Sequence, residues 1–183
     1  AKQIVDSLPK DEKIIFGPDK NLGDYINKLT GRNMLLWQGV CHVHEQFSIE
    51  KILEIKKEHT DALILAHPEC PKYLLEVADH VGSTSSILKF ATVSENKKFI
   101  VATEAGILHQ MQKSNPDKEF IPAPPEDSTC ACNECFYMKM NTLEKLYLCL
   151  KNERPEILVN ENVRVKAVKP IERMLEISAK HGL

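Results

Sequence analysis

Short apolar runs set between helical stretches constrain this chain more than any other feature. Lys13-Ile14-Ile15-Phe16, Met34 to Trp37, Asp61 to Ala66, Phe99 to Ala102 and Glu119-Phe120-Ile121 are each only a few residues long. Runs that brief, apolar without alternation, read as strands covered on both faces, and parallel strands of that kind need helical crossovers between them. The segments between the runs supply those helices. Asn21 is the expected N-cap of a helix from Leu22 to Leu29, with Gly31 as its stop, and Ser48 caps one from Ile49 to about His59 with Phe47 and Ile52 spaced as a hydrophobic staple. Further helices are predicted over Tyr73 to Asp79, from Gly82 to Val93, and over Ile107 to Lys113.

The two ends of the chain read as helical. Residues 1 to 8 place Ile4, Val5 and Leu8 on one face before Pro9 stops them, with no cap ahead of Ala1; the stretch is expected to be a fragment of a longer protein. Asn141 and Glu144 form a capping-box pattern for a helix carrying Leu143, Leu146, Tyr147 and Leu150. Glu161 to Lys180 is helical by pattern, with Pro170 kinking it or starting its last segment. The fold class expected is α/β, built of small three-layer αβα units with short parallel sheets, divided as residues 1–60, 61–150 and a C-terminal helical segment 151–183.

A net charge of −2 over 183 residues, with both signs mixed, argues against nucleic acid as a partner. No apolar run approaches the ~18 residues of a membrane span, and the first residues lack the order of a signal peptide, so a cytoplasmic protein away from the membrane is expected. In such a compartment six cysteines read as thiols or metal ligands rather than a disulfide framework.

Three of those cysteines, Cys130, Cys132 and Cys135, crowd together ahead of the helix near Asn141. A thiolate is a soft anionic ligand, and one tight cluster plus an isolated Cys41 in a loop suits an iron–sulfur site at least as well as zinc. In parallel sheets ligands gather at the carboxyl ends of strands, and the chemically dense residues fall at those exits: Asp19 and Lys20, Cys41 and His44, His67 and Glu69, Thr103 and Glu104. Each also has an ordinary reading. A lone cysteine after a strand is commonly a small buried hydrophobe, His67-Pro68-Glu69 suits a turn, and Gly82-Ser83-Thr84 suits a helix start whose amides and hydroxyls also fit a carboxylate or phosphate. Of His42 and His44 one is expected to face a site, and His44 is favoured. Cys70 and Cys149 read as structural.

Taken together, Trp37-Gln38-Gly39-Val40-Cys41-His42-Val43-His44-Glu45, Ala66-His67-Pro68-Glu69-Cys70, Val81-Gly82-Ser83-Thr84-Ser85, Ala102-Thr103-Glu104 and Cys135-Phe136-Tyr137-Met138-Lys139-Met140-Asn141 resemble, in order and spacing, the quinolinate synthase family, as does Arg173-Met174-Leu175-Glu176. The resemblance implies two of the three pseudo-threefold-related units of that fold and an iron–sulfur enzyme of NAD biosynthesis. Its substrates would be iminoaspartate and dihydroxyacetone phosphate, condensed to quinolinate. It further implies Cys41 and Cys135 as two cysteine ligands of a 4Fe-4S cluster, with Cys130 and Cys132 as non-ligands. The third cluster cysteine and the family's N-terminal unit have no counterpart here. The cluster is therefore expected in the complete protein and not in this stretch alone, which is expected to be inactive. His67, Pro68, Glu69 and Thr84 resemble substrate-binding positions, with Ser83 and His44 beside them. Glu69 is the expected general acid/base, with His67 assisting it or orienting a carboxylate. Two other classes remain open at this point: a zinc or redox domain on Cys130, Cys132 and Cys135, and a non-catalytic module for small anions.

Overall fold

The computed structural model describes residues 1–127 and 133–182. The expectations placed on Cys130 and Cys132 lie outside the described residues. The order of elements is α1 (Lys2–Asp6), β1 (Ile15–Phe16), α2 (Lys20–Thr30), β2 (Leu35–Leu36), a 3-10 turn (His44–Gln46), α3 (Ile49–Glu58), β3 (Leu63–Ala66), α4 (Lys72–Leu75), β4 (His80–Val81), α5 (Thr84–Val93), β5 (Lys98–Ala102), α6 (Ile107–Ser114), β6 (Glu119–Pro122), α7 (Phe136–Lys139), α8 (Leu143–Asn152) and α9 (Glu161–Lys180).

All strand pairs within the two sheets are parallel: β1 with β2, and β4-β3-β5-β6 in that spatial order. Because side chains alternate along a strand, the larger sheet sorts its apolar residues onto two faces. Ile64, Ala66, Ile100 and Ala102 pack with Ile52 of α3 and Leu74 of α4 in one buried cluster. Leu65, Phe99 and Val101 pack with Ile87 and Ala91 of α5 and Met111 of α6 in another. Helices on both faces of a short parallel sheet make the three-layer α/β arrangement. The smaller sheet is covered on one side by α1 and α2, through Val5 and Ile26 beside Met34. Ile15, Leu35 and Trp37 remain exposed there, as do most apolar side chains of α8 and α9.

Several expected boundaries move, each for a local reason. Asp19, not Asn21, caps α2: its Oδ1 accepts from the Leu22 amide at 2.7 Å. Thr142, not Asn141, caps α8 and accepts from the Lys145 amide. The helix expected over Tyr73 to Asp79 ends at Leu75, because Asp79 turns back to pair with Ile64, its Oδ2 accepting from the Ile64 amide at 2.8 Å. That turn starts the unexpected strand β4. Pro170 sits inside one continuous α9; most of that helix is exposed, so water can satisfy the carbonyl that a proline leaves without its donor.

The strand order fixes where a site can form. The chain leaves β3 for β4 on one side and returns to β5 on the other, so the carboxyl ends of β3 and β5 border the crevice where the order reverses. Those ends are tied together, the His67 amide donating to the Ala102 carbonyl at 3.0 Å.

A second tie joins the smaller sheet to the Cys41 loop, where Asp19 and Gly39 form an isolated bridge and the Lys20 amide donates to the Gly39 carbonyl at 2.8 Å. A Cβ on Gly39 would lie 2.4 Å from the Pro18 carbonyl oxygen, a backbone atom that cannot swing aside. Gly39→Ala is therefore expected to lower stability by about 1–3 kcal/mol, the usual cost of overpacking. Urea unfolding checks this; an unchanged midpoint would contradict so close a contact.

Candidate functional site

Asp19 is 4 % exposed and serves two segments at once. While its Oδ1 caps α2, its Oδ2 accepts from the Cys41 amide at 2.9 Å, which fixes the start of the loop after β2. The Glu45 amide then donates to the Cys41 carbonyl at 3.0 Å, closing the turn that swings His44 inward. Val43 and Phe47 on either side are buried in the core and hold that turn down.

His44 is 6 % exposed and is partnered at both ring nitrogens. Nδ1 lies 3.1 Å from Glu69 Oε2 and Nε2 lies 3.1 Å from Thr103 Oγ1. Its ring stacks on His67 at 4.4 Å between centroids. His67 Nδ1 accepts the Glu69 amide at 3.3 Å and lies 3.8 Å from Glu69 Oε2. Asn21 braces the same loop from α2, its Nδ2 donating to the Glu69 carbonyl at 3.0 Å and to Glu45 Oε2 at 2.8 Å. Three exit loops, after β2, β3 and β5, thus meet on His44.

The electrostatics follow from those contacts. The hydrogen bond from His44 and the neighbouring imidazoles hold the Glu69 carboxyl below its usual range, against the effect of its partial burial. Burial opposes a charge on His44, but the Cys41 thiol and the Glu69 carboxylate outweigh it and lift the imidazole to about 9. The hydrogen bond with His44 in turn lowers the Cys41 thiol. His67 moves the other way, to about 4, through burial and the charge on its stacked neighbour. Between about 4 and about 9 the stacked pair accordingly carries its proton on His44, while His67 stays neutral with Nδ1 as acceptor. Ring-nitrogen NMR across that range should show His44 charged at pH 7 and His67 uncharged; the reverse assignment would contradict this geometry.

Among the expected site residues, Cys41, His44 and Glu69 come together, with one sulfur, nitrogen and oxygen donor atom each inside 4.8 Å of one another, a group that could hold a metal ion. His67 joins by stacking, and Pro68 is buried beneath the loop. Cys135 lies on the segment entering α7, half-buried against the same apolar cluster as Cys41, with its amide donating to Glu104 Oε1 at 3.2 Å. The Cys41 loop touches α7 just beyond Cys135, where the His42 ring meets Tyr137 edge-on at 5.5 Å. Ser83 and Thr84 stand exposed at the end of β4, and Ser83 is engaged as the cap of α5, accepting from the Ser86 amide. No hydrogen bond joins either residue to the His44–Glu69 group among the described residues.

Cys70 behaves as the sequence suggested. It is fully buried, its thiol donates to the Ala102 carbonyl, and burial pushes its ionisation well above the ordinary range. Sequence reasoning placed Asp19, Thr103 and Glu104 at strand exits without roles and gave Asn21 the wrong one. Their contacts, spanning 22 to 59 positions, become visible only when the loops are brought together.

Residues 1–176 match the family model described as Quinolinate synthetase A protein. The chain is 55 % identical over 178 residues to the quinolinate synthase of Chloroherpeton thalassium, covering 97 % of this chain and 55 % of that protein. It is 54 % identical over 179 residues to the quinolinate synthase of a Synechococcus species, covering 98 % and 56 % respectively. With that of Microcystis aeruginosa it shares 56 % over 178 residues, covering 97 % and 56 %. The chain spans about half the length of the curated relatives it matches. No helix among the described residues is long and apolar enough to cross a membrane.

Proposed function

We propose, on the premise that this chain belongs to the quinolinate synthase family, that it carries part of the site at which iminoaspartate and dihydroxyacetone phosphate condense to quinolinate in the cytoplasm, with loss of phosphate and water. The observation that supports this most directly is the meeting of Cys41, His44 and Glu69 at the reversal of strand order, with Cys135 on the adjoining loop.

The donor set suits an iron–sulfur group as far as it extends. Cys41 and Cys135 are free, half-buried thiols packed against one apolar cluster, whereas Cys70 is sealed in the core and Cys149 stands exposed on α8. Cys41 and Cys135 would hold a 4Fe-4S cluster together with a cysteine from outside this chain, and Cys130 and Cys132 are read as non-ligands. When bound, a cluster with three cysteine ligands supplies an open iron that acts as a Lewis acid toward a substrate oxygen.

The chain's own residues then divide the remaining work. Glu69, kept ionised by the His44 imidazolium, is the base, and in its protonated form the acid that returns a proton to a departing hydroxyl. His67, neutral with its proton on Nε2, donates a hydrogen bond to a substrate carboxylate. Pro68 keeps the turn between those two side chains rigid. The Thr84 hydroxyl and the amides that open α5, a ten-residue helix, receive a second carboxylate, with Ser83 beside them.

The test is turnover. A polypeptide of the relatives' full length that contains this chain, reconstituted anaerobically with iron and sulfide, should form quinolinate from the two substrates. The 183-residue chain alone should not. Quinolinate formed by the short chain, or none formed by the long one with its cluster intact, would overturn the assignment.

A further inference from the structure

We propose that Cys41, His44 and Glu69 also form a site for a single divalent ion of the zinc class, separate in composition from an iron–sulfur cluster and complete within this chain. The three donor atoms lie within 4.8 Å of one another. His44 Nδ1 and Glu69 Oε2 are already 3.1 Å apart, close to the edge of a tetrahedron built on zinc–nitrogen and zinc–oxygen bonds, about 3.4 Å. The hydrogen bond between them spans the gap that an ion would occupy. One thiolate, one imidazole and one carboxylate select borderline ions such as zinc, cobalt or ferrous iron over magnesium or calcium, and three protein ligands leave a fourth position open.

What distinguishes this group from a chance cluster is how each donor is held. The second nitrogen of His44 is fixed by the buried Thr103 hydroxyl at 3.1 Å, the outer contact that orients a ligating histidine. The backbone of Cys41 is anchored by Asp19 and that of Glu69 by Asn21. The donors therefore come from two loops, Cys41 and His44 from the one after β2 and Glu69 from the one after β3, that are in place before any ion arrives.

Binding of such an ion by this chain does not depend on the proposed reaction. Its consequence does rest on that reading: an ion seated here holds the thiolate that the cluster needs, so the two occupancies exclude each other.

Cobalt titration tests it. In the reduced 183-residue chain with Cys130, Cys132 and Cys135 all replaced by serine, one cobalt per chain should bind with a thiolate-to-cobalt absorption band, and one equivalent of zinc should displace it. Cys41→Ser should abolish the band. Thr103→Val should weaken binding by about 10- to 100-fold, the usual effect of losing an outer contact to a ligand. In the unaltered chain, zinc should slow alkylation of Cys41, followed peptide by peptide by mass spectrometry. Absence of the band in a triple-serine chain whose circular dichroism is unchanged, a band that survives Cys41→Ser, or alkylation of Cys41 indifferent to zinc would each overturn the proposal.

Discussion

Glu69→Gln, introduced into a polypeptide of the relatives' full length, should lower turnover by about 100- to 10,000-fold, the range associated with losing a positioned general acid or base. The substitution preserves shape, and a glutamine oxygen can still accept from His44 Nδ1, so the stacked histidines and the loop braced by Asn21 should stay in place. What is lost is a group that can take up and return a proton. The cluster absorbance should be unchanged, because the cysteine side chains are untouched. Unchanged turnover would remove Glu69 from the chemistry, whereas loss of the chromophore would assign it to holding the metal centre.

Asp19→Ala should cost about 2–4 kcal/mol, from about 1 kcal/mol for a lost helix cap and 1–3 kcal/mol for a buried amide left without its acceptor. The carboxylate is 4 % exposed and divides its two oxygens between the Leu22 and Cys41 amides. Asp19→Asn keeps one acceptor and should recover about half of the loss. Urea denaturation of the three proteins measures both effects. Equal stability of the alanine and aspartate forms would mean that the Cys41 loop is held elsewhere.

The larger sheet could be anticipated because its strands are apolar without alternation, as Leu63–Ala66 and Lys98–Ala102 are when helices cover both faces. β4 escaped because it consists only of His80 and Val81, and its pairing with Leu65 and Ala66 is decided by the turn at Asp79, not by its own composition. The choice of cap at α2 was ambiguous locally, since Asp19 and Asn21 both favour a helix start; the Cys41 amide, which needs an acceptor, decides for Asp19. Strand ends marked where the chemistry would gather, and the loops after β2, β3 and β5 do converge there. Which atoms meet was not legible. Thr103 reaches His44 across 59 positions, and Glu104 reaches the Cys135 amide across 31, through the parallel order of β3 and β5.

The central claim is that Cys41 and Cys135 serve one metal cluster. Iron and sulfide content, read with the visible spectrum after anaerobic reconstitution of the full-length polypeptide, tests it in Cys41→Ser and Cys135→Ser proteins made separately. Each single substitution should abolish the brown chromophore, while Cys130→Ser leaves it intact. A chromophore of normal intensity in either of the first two proteins would contradict the account.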